Sequence, residues 1–170
     1  MKIDLNRSDG SITGFELDIE ANDVDLESEF ARVKGNVISR GTVANEETHT
    51  VVEAEVEAPL FIDCSRCLKE IPLQQRISFR TAFVCDDGLS EDQEVELDLQ
   101  DLELSFSEED EVDLVDVIRE QIMLSLPAHP LCKEDCKGLC EICGSDRNKV
   151  NCDCKTDETD PRWAALKDLK

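Results

Sequence analysis

The sequence predicts an α+β protein: a mainly antiparallel, partly barrel-like β-body with one amphipathic helix and a metal-binding C-terminal tail. Two long stretches alternate apolar and polar residues, one later stretch has helical periodicity, and six of the nine cysteines follow residue 131. We therefore expect an acidic β-rich body over residues 1–126, with its helix near residues 110–125, and a cysteine-rich tail over residues 127–170.

The two strongest strand patterns are neighbours in the chain. From Val52 to Ala58 apolar residues alternate with glutamates, and from Ile71 to Phe83 apolar residues alternate with glutamine, serine and arginine. This period of two is typical of strands that bury one face. The short connection between them, which carries a pair of cysteines, favours an antiparallel pairing with the cysteines at a hairpin-like turn.

Weaker patterns add further elements. A strand is expected from Ala31 to Gly41, and residues 12–19 and the first six residues are each expected to form another. A short terminal helix is expected from Pro161 to Leu169, because proline suits the first turn of a helix.

One helix is predicted between Asp110 and Pro127. Asp110 is the expected N-cap, because a carboxylate accepts hydrogen bonds from the first free N–H groups and suits the positive end of the helix dipole. Apolar residues then recur at helical spacing from Leu114 to Ile122. The helix is expected to end at about Leu124.

Acidic residues dominate the composition, with 41 Asp and Glu against 18 Lys and Arg, a formal charge of −23. This balance argues against binding to DNA or to an anionic membrane, since both need a cationic surface. It allows a basic partner such as a ribosomal protein. No stretch approaches the roughly 18 apolar residues of a membrane-spanning helix, and the first residues lack the apolar segment of a signal peptide. We therefore expect the cysteines to lie in a reducing compartment, where metal binding is favoured over disulfides.

The negative charge is concentrated in the body. Residues 1–131 carry −22 and residues 132–170 carry −1, a shift that places the boundary near Pro127 and Pro130. Thirteen acidic residues and no Lys or Arg lie between Asp86 and Glu111. We interpret this run as a solvated acidic segment or, alternatively, as a docking surface for a cationic partner.

Eight of the nine cysteines form four close pairs. The pairs are Cys64 and Cys67, Cys132 and Cys136, Cys140 and Cys143, and Cys152 and Cys154. Structural zinc takes four ligands, usually from two pairs on tight turns, so the pattern predicts two tetrahedral zinc sites. Cys85 has no close cysteine neighbour and is expected to be a buried, inert thiol.

The pairs can combine in two ways. The favoured grouping has a compact local site made by Cys140, Cys143, Cys152 and Cys154. Its second site joins Cys64 and Cys67 to Cys132 and Cys136, and closes about 65 residues of chain. The rival grouping joins the pairs that begin at Cys132 and Cys140 and leaves the pair at Cys64 without metal. His129, between two prolines, is a possible substitute ligand.

Spacing alone leaves other cysteine chemistry open. An iron–sulfur cluster also takes four thiolates. Disulfides are disfavoured by the expected reducing compartment and by the odd number of cysteines. A catalytic zinc normally keeps one open position, whereas thiolates alone can fill both sites here. A thioredoxin-like role of Cys64 and Cys67 is disfavoured because strands flank this pair.

Six motifs follow one another in a distinctive order. They are the turn Cys64-Ser65-Arg66-Cys67-Leu68, the helical segment 114–122, the Leu-Pro segment 126–132, the cysteine run 132–144, Cys152-Asp153-Cys154, and residues 160–167. In this order they resemble the YceD family, the large ribosomal RNA subunit accumulation proteins. One position differs: this family usually has a proline where Glu141 lies, in the turn Cys140-Glu141-Ile142-Cys143-Gly144, which we call a knuckle.

The resemblance implies a bacterial cytoplasmic protein that is needed for accumulation of 23S ribosomal RNA and has no catalytic activity. It also implies two separate cysteine units, because some relatives lack the last four-cysteine knuckle but keep the earlier Cys-x-Arg-Cys turn. The implied partner is 23S rRNA or a pre-50S particle, contacted directly or through a basic ribosomal protein.

Two functional hypotheses follow. The first is an assembly or stability factor that binds through cationic residues. The candidate contacts are Arg66, Lys69, Arg76, Arg80, Lys133, Lys137, Arg147 and Lys149. In a variant of this hypothesis, the acidic segment chaperones a basic ribosomal protein. The second hypothesis is a zinc-dependent nuclease acting on rRNA, which requires an open metal position; a redox-responsive zinc switch is a further option.

Overall fold

The computed structural model describes residues 1–6, 9–46, 49–85, 104–107 and 110–154, apart from the side chains of Cys85 and Phe106. Three expectations lie outside these residues: the burial of the Cys85 thiol, most of the acidic run that starts at Asp86, and the terminal helix from Pro161 to Leu169.

The described residues form eight strands, one α-helix and a short 3-10 turn at Ala21–Asp23. The elements are β1 (Lys2–Asp4), β2 (Ile12–Ile19), β3 (Ala31–Val33), β4 (Val37–Asn45), β5 (Thr50–Asp63), β6 (Glu70–Cys85), β7 (Leu104–Ser107), β8 (Glu111–Asp113) and α1 (Leu114–Ser125).

The main sheet has the strand order β2-β4-β5-β6-β7, and β3 pairs with β5 alongside β4. The pairings of β2 with β4, and of β3 and β4 with β5, are antiparallel, whereas β7 runs parallel to β6. The mostly β-sheet fold with one helix agrees with the prediction. The barrel-like part of the prediction is wrong, because among the described strands β2 and β7 are the two ends of an open sheet.

The core lies between one face of the sheet and α1. Alternate residues of β5 are buried, and Val52, Val56 and Leu60 among them are at most 1% exposed, while Glu53 and Glu55 are exposed. Ile118 and Ile122 of α1 pack into the same cluster as Val56 and Leu60. The alternation and the helical spacing in the sequence therefore both mark residues that face this core.

The strand expected to end at Gly41 is two strands, and the second continues to Asn45. Gly41 lies in the middle of β4, opposite Ala54 of β5. A Cβ atom at Gly41 would lie 2.2 Å from the Glu53 carbonyl oxygen, so this glycine permits a close approach of two backbones. It does not end the strand.

The expected cap of α1 is also wrong by three residues. Asp113, not Asp110, is the N-cap, and its carboxylate accepts a hydrogen bond from the Val115 N–H at 3.0 Å. The reason is tertiary: Glu111–Asp113 forms β8, which pairs with β1 and keeps this segment extended up to the first helical residue. The helix ends at Ser125, close to the expected position.

The chain divides into two compact units. The sheet unit comprises Met1–Ile62 and Glu70–Ala128, and the cysteine unit comprises Asp63–Lys69 and the tail from His129 onward. The turn between β5 and β6 therefore belongs to the cysteine unit. Among the described helices, none has the length and apolar character needed to cross a membrane.

Candidate metal centres

Two turns of the cysteine unit have the same hydrogen-bond pattern. In the first, the Leu68 N–H donates to the Cys64 carbonyl and the Cys64 N–H donates to the Lys69 carbonyl, both at 2.9 Å. In the second, the Gly144 N–H donates to the Cys140 carbonyl at 2.8 Å, and the Cys140 N–H donates to the Ser145 carbonyl at 2.9 Å. Both Cys-x-x-Cys segments are therefore knuckles of one type.

The first cluster consists of the sulfur atoms of Cys64, Cys67, Cys132 and Cys136, which all lie within 4.8 Å of one another. The Sγ atoms of Cys64 and Cys136 are 3.8 Å apart, and those of Cys67 and Cys132 are 3.6 Å apart. In a tetrahedral site with Zn–S bonds of about 2.3 Å, neighbouring sulfurs are about 3.8 Å apart. The geometry fits a single tetrahedral ion.

The second cluster consists of the sulfur atoms of Cys140, Cys143, Cys152 and Cys154, again within 4.8 Å of one another. The structure thus groups the pairs as in the favoured arrangement and not as in the rival one. A four-iron cluster binds each thiolate to a different iron atom and would hold the sulfurs farther apart. His129 is exposed and belongs to neither cluster.

The first cluster contains thiols with opposite tendencies to ionise. Burial opposes ionisation of Cys64, but hydrogen bonds from backbone N–H groups, led by that of Arg66, lower the pKa of its thiol to about 6. Burial and the neighbouring sulfur of Cys67 raise the pKa of Cys132 to about 12. One sulfur thus carries negative charge readily, while another keeps its proton beside it.

The second cluster shows the same contrast. The Ser145 hydroxyl, 3.2 Å from the sulfur, lowers the pKa of the Cys143 thiol to about 6. The sulfur of Cys143 in turn raises the pKa of Cys154 to about 12. Four thiolates at this distance repel one another unless a cation lies between them, so the donor set of each cluster suits a divalent ion that binds sulfur.

Backbone contacts join the turn at Cys64 to the tail within the cysteine unit. The Ser65 N–H donates to the Pro130 carbonyl at 2.8 Å, and the Leu139 N–H donates to the Arg66 carbonyl at 3.0 Å. Gly138 has φ +71°, and a Cβ atom there would lie 3.0 Å from the Arg66 carbonyl oxygen. A larger residue would therefore disturb the contact that brings the two cysteine pairs together.

Asn148 also contacts the first cluster, although the sequence did not single it out. Its side-chain Nδ2 donates to the Cys136 sulfur at 3.4 Å. An asparagine in a polar loop usually indicates only a turn, and no signal in a single sequence distinguishes this one.

All eight cationic residues that the sequence singled out are exposed. Six lie in the cysteine unit, namely Arg66, Lys69, Lys133, Lys137, Arg147 and Lys149, and two lie on β6 of the sheet unit, namely Arg76 and Arg80. The two groups belong to different units.

Several of these cations already have partners. The Arg66 guanidinium donates to the Cys136 carbonyl at 2.9 Å, so it supports the first cluster. Arg76 pairs with Glu57 at 3.0 Å, and Lys133 and Lys149 lie 3.6 and 3.4 Å from aspartate oxygens. Within the described residues, no ion pair engages the four remaining side chains, those of Lys69, Arg80, Lys137 and Arg147.

The sequence profile of a known family matches this chain. The family is described as large ribosomal RNA subunit accumulation protein YceD, and the match covers residues 52–170, which include all eight clustered cysteines. The match extends over more than two thirds of the chain, so the chain belongs to this family and the resemblance in the sequence is confirmed.

Individual relatives agree with this assignment. An uncharacterized protein of Mycobacterium tuberculosis is 28% identical over 146 residues, which cover 86% of this chain and 61% of the relative. An uncharacterized protein of Bacillus subtilis is 26% identical over 159 residues, 91% of this chain and 87% of the relative. The chain thus spans about three fifths of the length of its mycobacterial relatives.

A plant relative has a functional name. The large ribosomal RNA subunit accumulation protein YCED homolog 1, chloroplastic, of Arabidopsis thaliana is 35% identical over 60 residues, 35% of this chain and 19% of the relative. No solved structure matches the chain significantly. The description of the family and the name of this relative both refer to accumulation of the large ribosomal RNA subunit.

Proposed function

We propose that this protein is a non-catalytic, cytoplasmic factor that supports accumulation of 23S rRNA by binding the rRNA or a pre-50S particle. The observation that carries the proposal is the family match over residues 52–170, which includes both cysteine clusters. The name of the plant relative refers to accumulation of the large ribosomal RNA subunit.

Each cluster is proposed to hold one structural zinc ion. Four sulfurs at tetrahedral spacing fill the coordination sphere of zinc and leave no position for a substrate or an activated water. When bound, the ion would crosslink chain segments and neutralise thiolate charge. This closed donor set supports a binding role over the nuclease alternative, which requires an open metal position.

The proposed contact surface is the exposed cationic part of the cysteine unit. Lys69, Lys137 and Arg147 are its strongest members, because no ion pair within the described residues occupies their side chains. An arginine can pair bidentately with phosphate, and lysine adds a point charge. Arg66 is a weaker candidate, because its guanidinium is bonded to the Cys136 carbonyl.

A basic ribosomal protein is the second candidate partner, and the formal charge of −23 favours it. An acidic body repels RNA and attracts a cationic protein, so the chain could protect such a protein until it joins the rRNA. In this version the cations of the cysteine unit do not contact nucleic acid.

The test is a charge reversal at Lys137 and Arg147, both to Glu, in cells that lack the natural copy. If the cysteine unit binds rRNA, this variant should lower the ratio of 23S to 16S rRNA and recover less rRNA after crosslinking. Arg80→Glu is the control, because Arg80 is an exposed arginine of β6 outside the cysteine unit and has no ion pair among the described residues. Zinc content and melting temperature should stay unchanged in both variants.

Affinity capture with and without RNase separates the two partners. Loss of captured ribosomal proteins after RNase supports direct RNA contact, and retention of one basic ribosomal protein supports the chaperone version. A Lys137→Glu, Arg147→Glu variant that restores normal 23S rRNA and captures the same rRNA contradicts the proposed contact surface.

A further inference from the structure

Asn148 connects the two clusters. It lies in the loop between Cys143 and Cys152, which the second cluster closes, but its Nδ2 donates to the sulfur of Cys136 in the first cluster at 3.4 Å. A loop that one site closes therefore supplies a hydrogen bond to a ligand of the other site.

The orientation of the Asn148 amide is fixed by its other hydrogen bonds. Its Oδ1 accepts from the Lys137 N–H at 3.0 Å, directly beside Cys136 in the chain. Its Nδ2 also donates to the Asp146 carboxylate at 2.8 Å, and the same carboxylate accepts from the Asn148 N–H at 2.9 Å. With the oxygen committed to a backbone N–H, the amide nitrogen faces the sulfur.

Backbone contacts hold the loop beside the segment that follows Cys136. The Arg147 N–H donates to the Gly138 carbonyl at 3.0 Å, and Leu139 and Asp146 form an isolated antiparallel bridge. Displacement of this loop would therefore move the Asn148 amide relative to the Cys136 sulfur.

From these contacts we infer that Asn148 is a positioning residue that couples metal binding at the two clusters. Metal at the second cluster joins Cys143 to Cys152 and holds the loop closed, so that the Asn148 N–H groups remain against Cys136. A hydrogen bond to this sulfur orients it among the four ligands of the first cluster and so favours metal binding there. By linkage, metal at the first cluster stabilises the closed loop and raises the affinity of the second. This inference rests on the proposed metal sites and not on the proposed contact with rRNA.

The test is a double-mutant cycle on the full-length chain loaded with cadmium, with occupancy of each site followed by cadmium NMR during titration with a chelator. One change is Asn148→Ala. The other is the pair Cys152→Ser and Cys154→Ser, which disables the second cluster and assigns the resonance of the first. Asn151→Ala is the matched control, since it removes the same side chain from an exposed position of the same loop.

Asn148→Ala should lower the cadmium affinity of the first cluster about tenfold, the lower end of the losses seen when a partner of a metal ligand is removed. Disabling the second cluster should also lower this affinity in the protein with Asn148. In the Asn148→Ala background, disabling the second cluster should have no further effect, and Asn151→Ala should behave as the parent chain.

Two results would overturn the coupling. One is that disabling the second cluster lowers the cadmium affinity of the first cluster equally with and without Asn148. The other is that Asn148→Ala leaves the cadmium affinity of the first cluster unchanged. If Asn148→Ala does not bind two cadmium ions at saturation, Asn148→Asp replaces it, because an aspartate keeps the oxygen that accepts from Lys137 but removes the amide donor. Asn148→Asp that keeps the parental affinity would overturn the inference too.

Discussion

The sheet unit and the cysteine unit are stabilised by different means. The sheet unit buries valine, leucine and isoleucine side chains between its sheet and α1. Among its described residues, the buried side chains of the cysteine unit are mainly sulfurs, those of Cys64, Cys67, Cys136 and Cys140. Leu68, Ile142 and Val150 of this unit are more than half exposed. A segment that buries so little apolar surface does not offset its conformational entropy without a crosslink, so metal at the clusters would take the place of an apolar core there.

The two clusters differ in burial and in how far apart their ligands lie in the chain. The first is buried and joins residues far apart in the chain, since Cys67 and Cys132 are 65 positions apart. The second draws its ligands from one short stretch, and Cys143 and Cys154 in it are exposed. Metal at the first cluster would therefore hold the turn at Cys64 against the tail. Metal at the second cluster would hold mainly the tail itself.

Metal removal should produce the largest effect, and it should destabilise the cysteine unit while leaving the sheet unit folded. Metal at a structural site contributes on the order of 10 kcal/mol of apparent free energy. The apolar burial among residues 63–69 and 129–154 is too small to replace that contribution. A strong chelator should abolish hydrogen-exchange protection of the amides at 64–69 and 136–150. Amides of β5 and α1 should keep their protection, because valine, leucine and isoleucine side chains hold them. Protection that survives in both units after complete metal removal would contradict the comparison.

Single ligand changes should distinguish the two clusters. In the chain-entropy model, a crosslink that closes about 65 residues contributes roughly 4 kcal/mol and one that closes about nine residues roughly 3 kcal/mol. Cys67→Ser should therefore lower the unfolding free energy of the cysteine unit more than Cys152→Ser does, and it should also release Ser65 and Arg66 from the tail. Denaturant unfolding of both variants, with metal counted by elemental analysis, measures the difference. Equal and small effects would remove the basis for a non-local site.

Local patterns predicted the parts of the fold that local physics determines. The alternation over 52–58 and the stripe over 114–122 reflect which side chains face the core, and both elements formed as expected. The pairing of β1 with β8 joins residues more than 100 positions apart, and no local pattern encodes it. For that reason the sequence predicts the N-cap at Asp110. The error at Gly41 has a different cause: this glycine permits the close approach of β4 to β5, and a single sequence does not distinguish such a glycine from one that ends a strand.

The grouping of the cysteines into two clusters could be predicted from the sequence for a physical reason. Each pair lies on a tight turn, and two such pairs complete one tetrahedron, so spacing alone limits the combinations. The supporting contacts were not accessible, because Arg66 and Asn148 act through a carbonyl and a sulfur that only the fold brings near them.

An exchange of residues between the two knuckles tests whether their backbones are equivalent. Leu68 and Gly144 occupy the same position in the two turns, with φ of +56° and +69°. Gly144→Leu should cost about 1–2 kcal/mol, the penalty of a left-handed conformation for a residue with a Cβ atom. The cost is conformational, because no atom lies within 4 Å of the position that a Cβ would take. Denaturant unfolding of the metal-loaded variant measures it.

The reverse change, Leu68→Gly, should be nearly neutral. It relieves the same penalty, but the unfolded chain gains freedom that offsets about 0.5–1 kcal/mol of the relief. Leu68 is 64% exposed, so little apolar contact is lost. A large destabilisation by Leu68→Gly would mean that the leucine side chain, and not the turn, stabilises the first knuckle.

The last prediction belongs to the sheet unit and concerns the cap of α1. Burial works to raise the pKa of the Asp113 carboxyl, but its hydrogen bond from the Val115 N–H and the nearby Met1 amino group lower that pKa below 3.8. A carboxyl whose pKa is depressed by folding stabilises the folded state above its unfolded pKa, and this contribution is lost as the pH falls through the folded pKa. Asp113→Ala should therefore cost about 1 kcal/mol at pH 7, as loss of a helix N-cap does. Asp113→Asn should cost less, because asparagine also caps helices. Hydrogen exchange of the α1 amides measures both variants against the parent chain at the same pH.

Below about pH 4, the stability advantage of the parent over Asp113→Asn should shrink as Asp113 takes up a proton. An advantage that does not change between pH 7 and pH 2 would show that the ionised carboxylate does not stabilise α1.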